Sequence, residues 1–361
     1  MASQDLKTML LTAASQAPQI PINPFAVCYL QLCQISYATP SSIPTLVPNV
    51  TPLDPGGRWQ CIWGPAVDWD DSNLAFVAAY YSGSIPVVAV TVVRGTDLEI
   101  YDPLGILEQL WEDMDAPWQG PLPWVNNSAI KVANGTLGGL SVIQSLTSGG
   151  QTVDQFLASF MLDPKNQNPV LVVTGHSLGG CLTTVVAPWL QFQLNRANAK
   201  VPMVPATFAA PTAGNADFAR YFDSCFSHGM RYFNSLDVAP MAWGNISGMD
   251  DIYIPCGLPI PDFIYVLLLG FADAMWLTGA TYAQPFTNNA PLKGQCYKTS
   301  SWYDQAFYQH HTTTYMSLLG GTSIISEEWQ PHMVLGQPKV MAPSKLRTQI
   351  GSLQTAMVKL R

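Results

Sequence analysis

Residues 170–182 read Val-Leu-Val-Val-Thr-Gly-His-Ser-Leu-Gly-Gly-Cys-Leu, and no other stretch of this chain restricts its folding as tightly. The β-branched apolar run over 170–174 predicts a strand. It stops at Gly175, and the apolar residues that follow predict a helix over 181–194, kinked at Pro188. A serine between two glycines, entered by a strand and left by a helix, is the context of a G-x-S-x-G elbow. So sharp a turn needs small neighbours, and Gly175 and Gly179 let strand and helix approach without a Cβ in the way. The elbow would hold the Ser177 hydroxyl at the end of a sheet, over the first turn of a helix. The free N–H groups there can meet developing negative charge. A bare G-x-S-x-G also occurs as an ordinary tight turn, so the strand before it and the apolar segment after it carry the reading.

The rest of the chain supplies a setting for such a sheet. Strands are expected over 58–63, 74–82, 86–93, 203–209 and 230–234, and helices over 25–37, 152–162 and 217–223. The run 86–93 is almost wholly apolar, as in a strand buried on both faces. A Pro-rich loop is expected around Pro40, Pro44, Pro48, Pro52 and Pro55, and a loop followed by a helix over 307–319. Strands alternating with helices predict an α/β fold, a mostly parallel central sheet with helices on both faces. In such sheets ligands sit at the carboxyl ends of the strands. Three polar sites follow predicted strands: Arg94–Asp97, Ser177 and Asp237. The 361 residues are read as one domain with a catalytic core at about 60–320. It carries an N-terminal helical arm (1–40), an apolar insertion (250–300) and a C-terminal tail (336–361).

Charge narrows the partners. Charged residues are 11% of the chain, against about 25% in an average soluble domain. Hydrophobic residues are 48% and the net charge is −8. Surface poor in charge suits an apolar substrate or an interface. The cations are scattered, which excludes the clustered Lys and Arg that nucleic acid needs. Met1 to Leu11 lacks the basic region and apolar run of a secretory leader. The chain is therefore expected to be cytoplasmic, or exported without a recognisable leader. The most apolar stretch, 263–283, is broken by Gly270, Asp273 and Gly279 and does not predict a membrane span. Seven cysteines show no C-x-x-C spacing and are read mostly as core thiols, with room for one disulfide. No metal cluster and no organic cofactor is expected.

A serine hydroxyl becomes a nucleophile only when a base takes its proton. Of five histidines, His176 lies inside the elbow and should point away from the hydroxyl, His228 sits in a turn, and His332 is flanked by proline. His310 and His311 come late in the chain, as the order Ser, Asp, His requires. Either can be the base. The acid that orients and stabilises the imidazole is assigned to Asp237, which follows a short strand. Asp223, Asp250, Asp251, Asp262 and Asp304 end no strand as cleanly. The backbone N–H of Leu178 is the first oxyanion donor, and Thr96, at an earlier strand end, the second. Arg94 is read as a structural ion-pair partner.

Five motifs recur in order: Val92-Val93-Arg94-Gly95-Thr96, Thr174 to Gly180, Thr207-Phe208-Ala209-Ala210-Pro211, Gly214-Asn215 with Phe218, and Asn234 to Pro240. Together, over about 60–320, they resemble the fungal-type class 3 lipases, an α/β-hydrolase family of triacylglycerol lipases and esterases. The resemblance implies Ser177 as nucleophile, Asp237 as acid and Thr96 with Leu178 as oxyanion hole. It places a lid helix after Thr96. Residues 104–114 are the first lid candidate and 263–277 the second. The chain departs from the family at Asn134, where a histidine is frequent, and in the length of the 250–300 insertion. The family's base precedes a Tyr by a few residues; His310 is five before Tyr315 and His311 four, and Tyr308-Gln309 favours His310 narrowly. The implied activity is hydrolysis of triacylglycerol through an acyl-enzyme, without a cofactor and at an oil–water or membrane surface. A phospholipase or short-chain carboxylesterase is the alternative. A non-catalytic lipase-like scaffold is the reading from another class.

Overall fold

Seven strands pair strictly in chain order in the computed structural model, which describes residues 6–9, 24–69, 72–94, 115–286 and 289–325. β1 (Arg58–Val67), β2 (Leu74–Ser82) and β3 (Ile85–Arg94) form an antiparallel meander. β4 (Val170–His176), β5 (Met203–Phe208), β6 (Met230–Asn234) and β7 (Asn289–Leu292) then join in parallel. Parallel neighbours need crossover segments. Here these carry α2 (Asn134–Ser145) and α3 (Val153–Leu162), then α4 (Leu178–Arg196), α5 (Ala216–Cys225) and α6 (Asp262–Thr278). α1 (Pro24–Ser36) precedes the sheet, and α7 (Trp302–His310) and α8 (Thr312–Leu318) follow it.

The unbroken apolar runs have a direct cause. Every residue of β4 is buried, and successive side chains enter different cores. Val170 and Val172 pack in a cluster with α1 and with Tyr315 and Met316 of α8. Leu171 and Val173 pack in the other, with Leu157, Leu182 and Val185. Both faces of the sheet are covered, so neither parity of the strand is free to be polar. The fold is α/β, with a mostly parallel central sheet and helices on both faces.

Three local expectations change. The Pro-rich segment folds as consecutive helical turns, Pro40–Ser42, Ile43–Leu46 and Val47–Asn49. Each has proline in its first two positions, where the missing N–H costs nothing. α4 begins at Leu178, so Gly179 and Gly180 lie in its first turn, and it runs on to Arg196 with Pro188 inside it. The segment before His310, read as loop, is α7, capped by Ser301, whose hydroxyl accepts the Asp304 N–H. Of the arm, residues 6–9 and 24–40 are described, helical over 6–9 and in α1. The lid candidate 104–114 and the tail 336–361 lie outside the described residues.

β4 and α4 meet at closest range through Gly175. A Cβ there would collide with the carbonyl group of Gly179 and lie 2.7 Å from the Val93 carbonyl oxygen. All are backbone atoms that cannot swing aside. Gly175→Ala is expected to cost at least about 3 kcal/mol in a urea titration, the upper end of overpacking effects. A midpoint equal to the parent's would show that the elbow tolerates a side chain.

Candidate active site

β4 ends at His176, and the next residue turns the chain. Ser177 has φ 58° and ψ −128°, a conformation that side chains avoid and that persists only where surroundings enforce it. Its N–H donates to the Phe208 carbonyl at the end of β5 (2.9 Å). β6 ends at Asn234, and a tight turn follows. The Asp237 N–H donates to the Asn234 carbonyl (3.0 Å), and the Asn234 side-chain oxygen accepts the Leu236 N–H (3.0 Å). α7 ends at His310. Two strand ends and one helix end thus converge.

The serine hydroxyl lies 2.8 Å from His310 Nε2 and donates to it. His310 Nδ1–H donates to Asp237, at 2.9 Å from Oδ2 and 3.1 Å from Oδ1. His311 is turned elsewhere: its Nδ1 lies 2.8 Å from Thr313 Oγ1 and caps α8. Of the adjacent imidazoles, only His310 meets Ser177 and Asp237. The buried Asp237 carboxylate is held from two further sides. Oδ1 accepts the Ala239 N–H (3.0 Å) and Oδ2 the Tyr315 hydroxyl (2.7 Å). Tyr315 in turn accepts the Asn234 N–H (2.9 Å). A carboxylate out of water requires such partners.

The imidazole has its own supports. Asn234 Nδ2 donates to the backbone carbonyl and side-chain oxygen of Gln309 (2.9 and 2.6 Å), fixing the turn of α7 that ends in His310. His176 does point away from the serine hydroxyl, yet it is more than packing. Its Nε2–H donates to the His310 carbonyl (2.9 Å), which leaves Nδ1 to accept from the Tyr37 hydroxyl (3.1 Å). Its ring centroid is 4.9 Å from that of His310. Burial, then the charge of His310, holds the His176 pKa well below the usual imidazole value. Neutral His176 can therefore back His310 without adding a charge.

Leu178 is the first residue of α4, where an N–H has no acceptor within the helix. Thr96 lies outside the described residues, as does His332. Arg94 is buried and donates to the Ser36 carbonyl (3.0 Å), a cation at the end of α1. Two competing carboxylates serve structural ends: Asp223 accepts the Phe286 N–H (2.7 Å) and Asp304 the Thr299 hydroxyl (3.0 Å). His228 lies in the turn before β6. Cys256 and Cys296 form a disulfide; Cys28, Cys33 and Cys181 are buried thiols pushed up to about 12 by desolvation. Among the described residues no group of three His, Cys, Asp or Glu could hold a metal ion. Sequence reasoning missed Tyr37, Asn234, Gln309 and the hydroxyl of Tyr315. Asn234 and Tyr315 were within reach, since both fall in or near the recurring motifs; nothing in the sequence singles out Tyr37.

A serine, an imidazole and a carboxylate are in contact at the carboxyl ends of a mostly parallel sheet, the place where an α/β-hydrolase fold carries its site. Residues 90–246 match the family Lipase (class 3). The fold is similar to that in the crystal structure of M37 lipase, with a TM-score of 0.69 and 26% identity. That likeness covers 82% of this chain and 91% of the other. A Caenorhabditis elegans protein named Lipase ZK262.3 is 33% identical over 93 residues, which is 26% of either chain. The chain thus matches about a quarter of the length of that curated relative. The match over residues 90–246 and the fold together support a hydrolase acting on esters.

Two measurements follow from the supports. Tyr315→Phe strips a donor from a buried carboxylate and an acceptor from a buried N–H, and is expected to cost about 1–3 kcal/mol in chemical denaturation; no loss would show both groups satisfied otherwise. His176 and His311 have lowered pKa values, His311 down to about 4, with burial the chief cause. Unfolding restores their affinity for protons, so stability is present above pH 6.5 and is lost as pH falls toward about 4. The urea midpoint should drop over that window, and less steeply in His311→Asn, which keeps a capping oxygen.

Proposed function

We propose that this chain is a serine carboxylic-ester hydrolase whose substrates are lipid esters, with triacylglycerol the best fit. What carries the reading is one contact: the Ser177 hydroxyl 2.8 Å from an imidazole nitrogen whose other nitrogen faces a carboxylate. In this scheme Ser177 Oγ attacks the ester carbonyl carbon as its proton passes to His310 Nε2. Asp237 holds the Nδ1–H tautomer and stabilises the imidazolium. The tetrahedral oxyanion is met by the Leu178 N–H and, by resemblance, by Thr96. His310 returns the proton to the leaving alcohol, and an acyl-Ser177 ester remains. Water, deprotonated by His310, then releases the acid. The sequence needs no metal and no organic cofactor.

Low surface charge and the apolar insertion support a lipid ester met at an oil–water or membrane surface. No described helix is long and apolar enough to cross a membrane. The scarcity of clustered cations speaks against anionic phospholipids. A complete Ser–His–Asp set speaks against a non-catalytic scaffold.

A serine-directed phosphonate should form one adduct, on Ser177. His310→Ala should lower both labelling and ester hydrolysis by about a thousandfold or more, whereas His311→Ala should stay within about tenfold. Adduct elsewhere, or equal losses in the two histidine variants, would contradict the assignment. Rates on short esters below and above their solubility limit separate the alternatives: a jump above that limit marks a lipase, and its absence a carboxylesterase.

A further inference from the structure

Residues 232–292 hold no Lys, Arg or His, and their only acids are Asp237, Asp250, Asp251, Asp262 and Asp273. α6 lies at the centre of this stretch. Its inner side is core: Ile264, Leu268, Phe271 and Met275 are buried. An ordinary surface helix would be polar on the other side. Here Tyr265, Val266, Leu269, Trp276 and Leu277 are exposed instead, Val266 by 55% and Trp276 by 80%. Positions 262, 265, 266, 269, 273, 276 and 277 recur at helical spacing, so they share one outward face. Ten large hydrophobic side chains are exposed among the described residues, and six fall between Ile254 and Leu277. The apolar surface is therefore one patch, not scatter.

This patch rests on the segments that bring Asp237 and His310 to Ser177. Phe271 meets Trp243, six residues beyond Asp237, with ring centroids 5.8 Å apart. Phe263 stacks on Tyr303 of α7 at 6.0 Å, and α7 ends in His310. The Cys256–Cys296 disulfide ties the two ends of the insertion across 40 residues. The patch is thus a fixed platform beside the site.

We propose that the outward face of α6 docks the chain on an uncharged ester-lipid surface, such as the surface of an acylglycerol droplet; this rests on the lipid-ester reading above. Charge selects the occupant. The only charged groups on the face are the exposed Asp262 and Asp273, and no cation lies anywhere from 232 to 292. An anionic bilayer would be repelled, because binding there depends on basic residues on the polar side of such a helix. Asp273 sits mid-face and keeps the contact shallow, at the level of ester carbonyls and water. Trp276 and Tyr265 suit that level, since their rings favour the boundary between apolar and wet surroundings.

The test uses the full chain with Ser177→Ala, so that no lipid is consumed, floated with triolein droplets under a phosphatidylcholine monolayer. The parent should rise with the droplets, and Val266→Ser/Leu269→Ser/Trp276→Ser should lower the bound fraction about tenfold. Trp69→Ser, which removes an exposed tryptophan from the β1–β2 connection, should change nothing. Asp273→Lys should add binding to droplets coated with phosphatidylglycerol, a gain that misfolding cannot mimic. A triple variant that floats like its parent overturns the proposal. So does a parent that fails to float but forms a dimer which the triple variant abolishes; that result assigns the face to a second copy of the chain. With Ser177 intact, the triple variant should keep hydrolysis of a short soluble ester within about twofold while losing about tenfold on droplets. If the intact chain cleaves no ester at all, the hydrolase reading fails, and flotation still reports on the surface.

Discussion

The contact between the backbone of β4 and the first turn of α4 is the constraint on which the site depends. Gly175 lies against the Gly179 carbonyl group at a distance that leaves no room for a side chain. That approach forces the chain to reverse within one residue and holds Ser177 at a positive φ. The cost of such a backbone is about 1–3 kcal/mol, and the packing around it must offset this. β4 is central in the sheet and buried on both faces, and α4 is buried through most of its length. The strained residue is thus embedded where the fold is least able to relax.

From this fixed point the other groups are placed by carboxyl-terminal ends. The serine follows β4, the carboxylate follows β6, and the imidazole closes α7. None is free to drift. Asn234 grips both the Asp237 turn and the end of α7, and Tyr315 bridges Asn234 to the carboxylate. His176 and Tyr37 hold the His310 backbone from the other side. Buried polar groups are costly when partly satisfied and rigid when fully satisfied. Here shared partners make one connected network from residues more than two hundred positions apart in the chain.

Much of this was legible in the sequence because burial on both faces leaves an unmistakable apolar run. The readings over 74–82 and 230–234 coincide with β2 and β6, and the elbow is visible from its glycines. Other features depend on information that periodicity does not carry. α7 contains Asp304, Gln305 and Gln309, so its apolar pattern is weak, and its true signal is the Ser301 cap. The turns over 40–49 use proline as a helix starter, which a count of prolines mistakes for a loop. The choice between His310 and His311 turns on where one helix stops and the next begins. A single residue of shift would exchange a histidine facing Ser177 for one capping α8. Tyr37 is drawn to the site only by the three-dimensional placement of α1.

The central claim is that Ser177 carries the acyl group between the two halves of the reaction. Acid-quenched mass spectrometry of the chain during turnover of a hindered, slowly released acyl ester tests it directly. The account predicts one acyl mass per chain, on the peptide containing Ser177, and none after His310→Ala. An acyl mass on any other residue during turnover would contradict it.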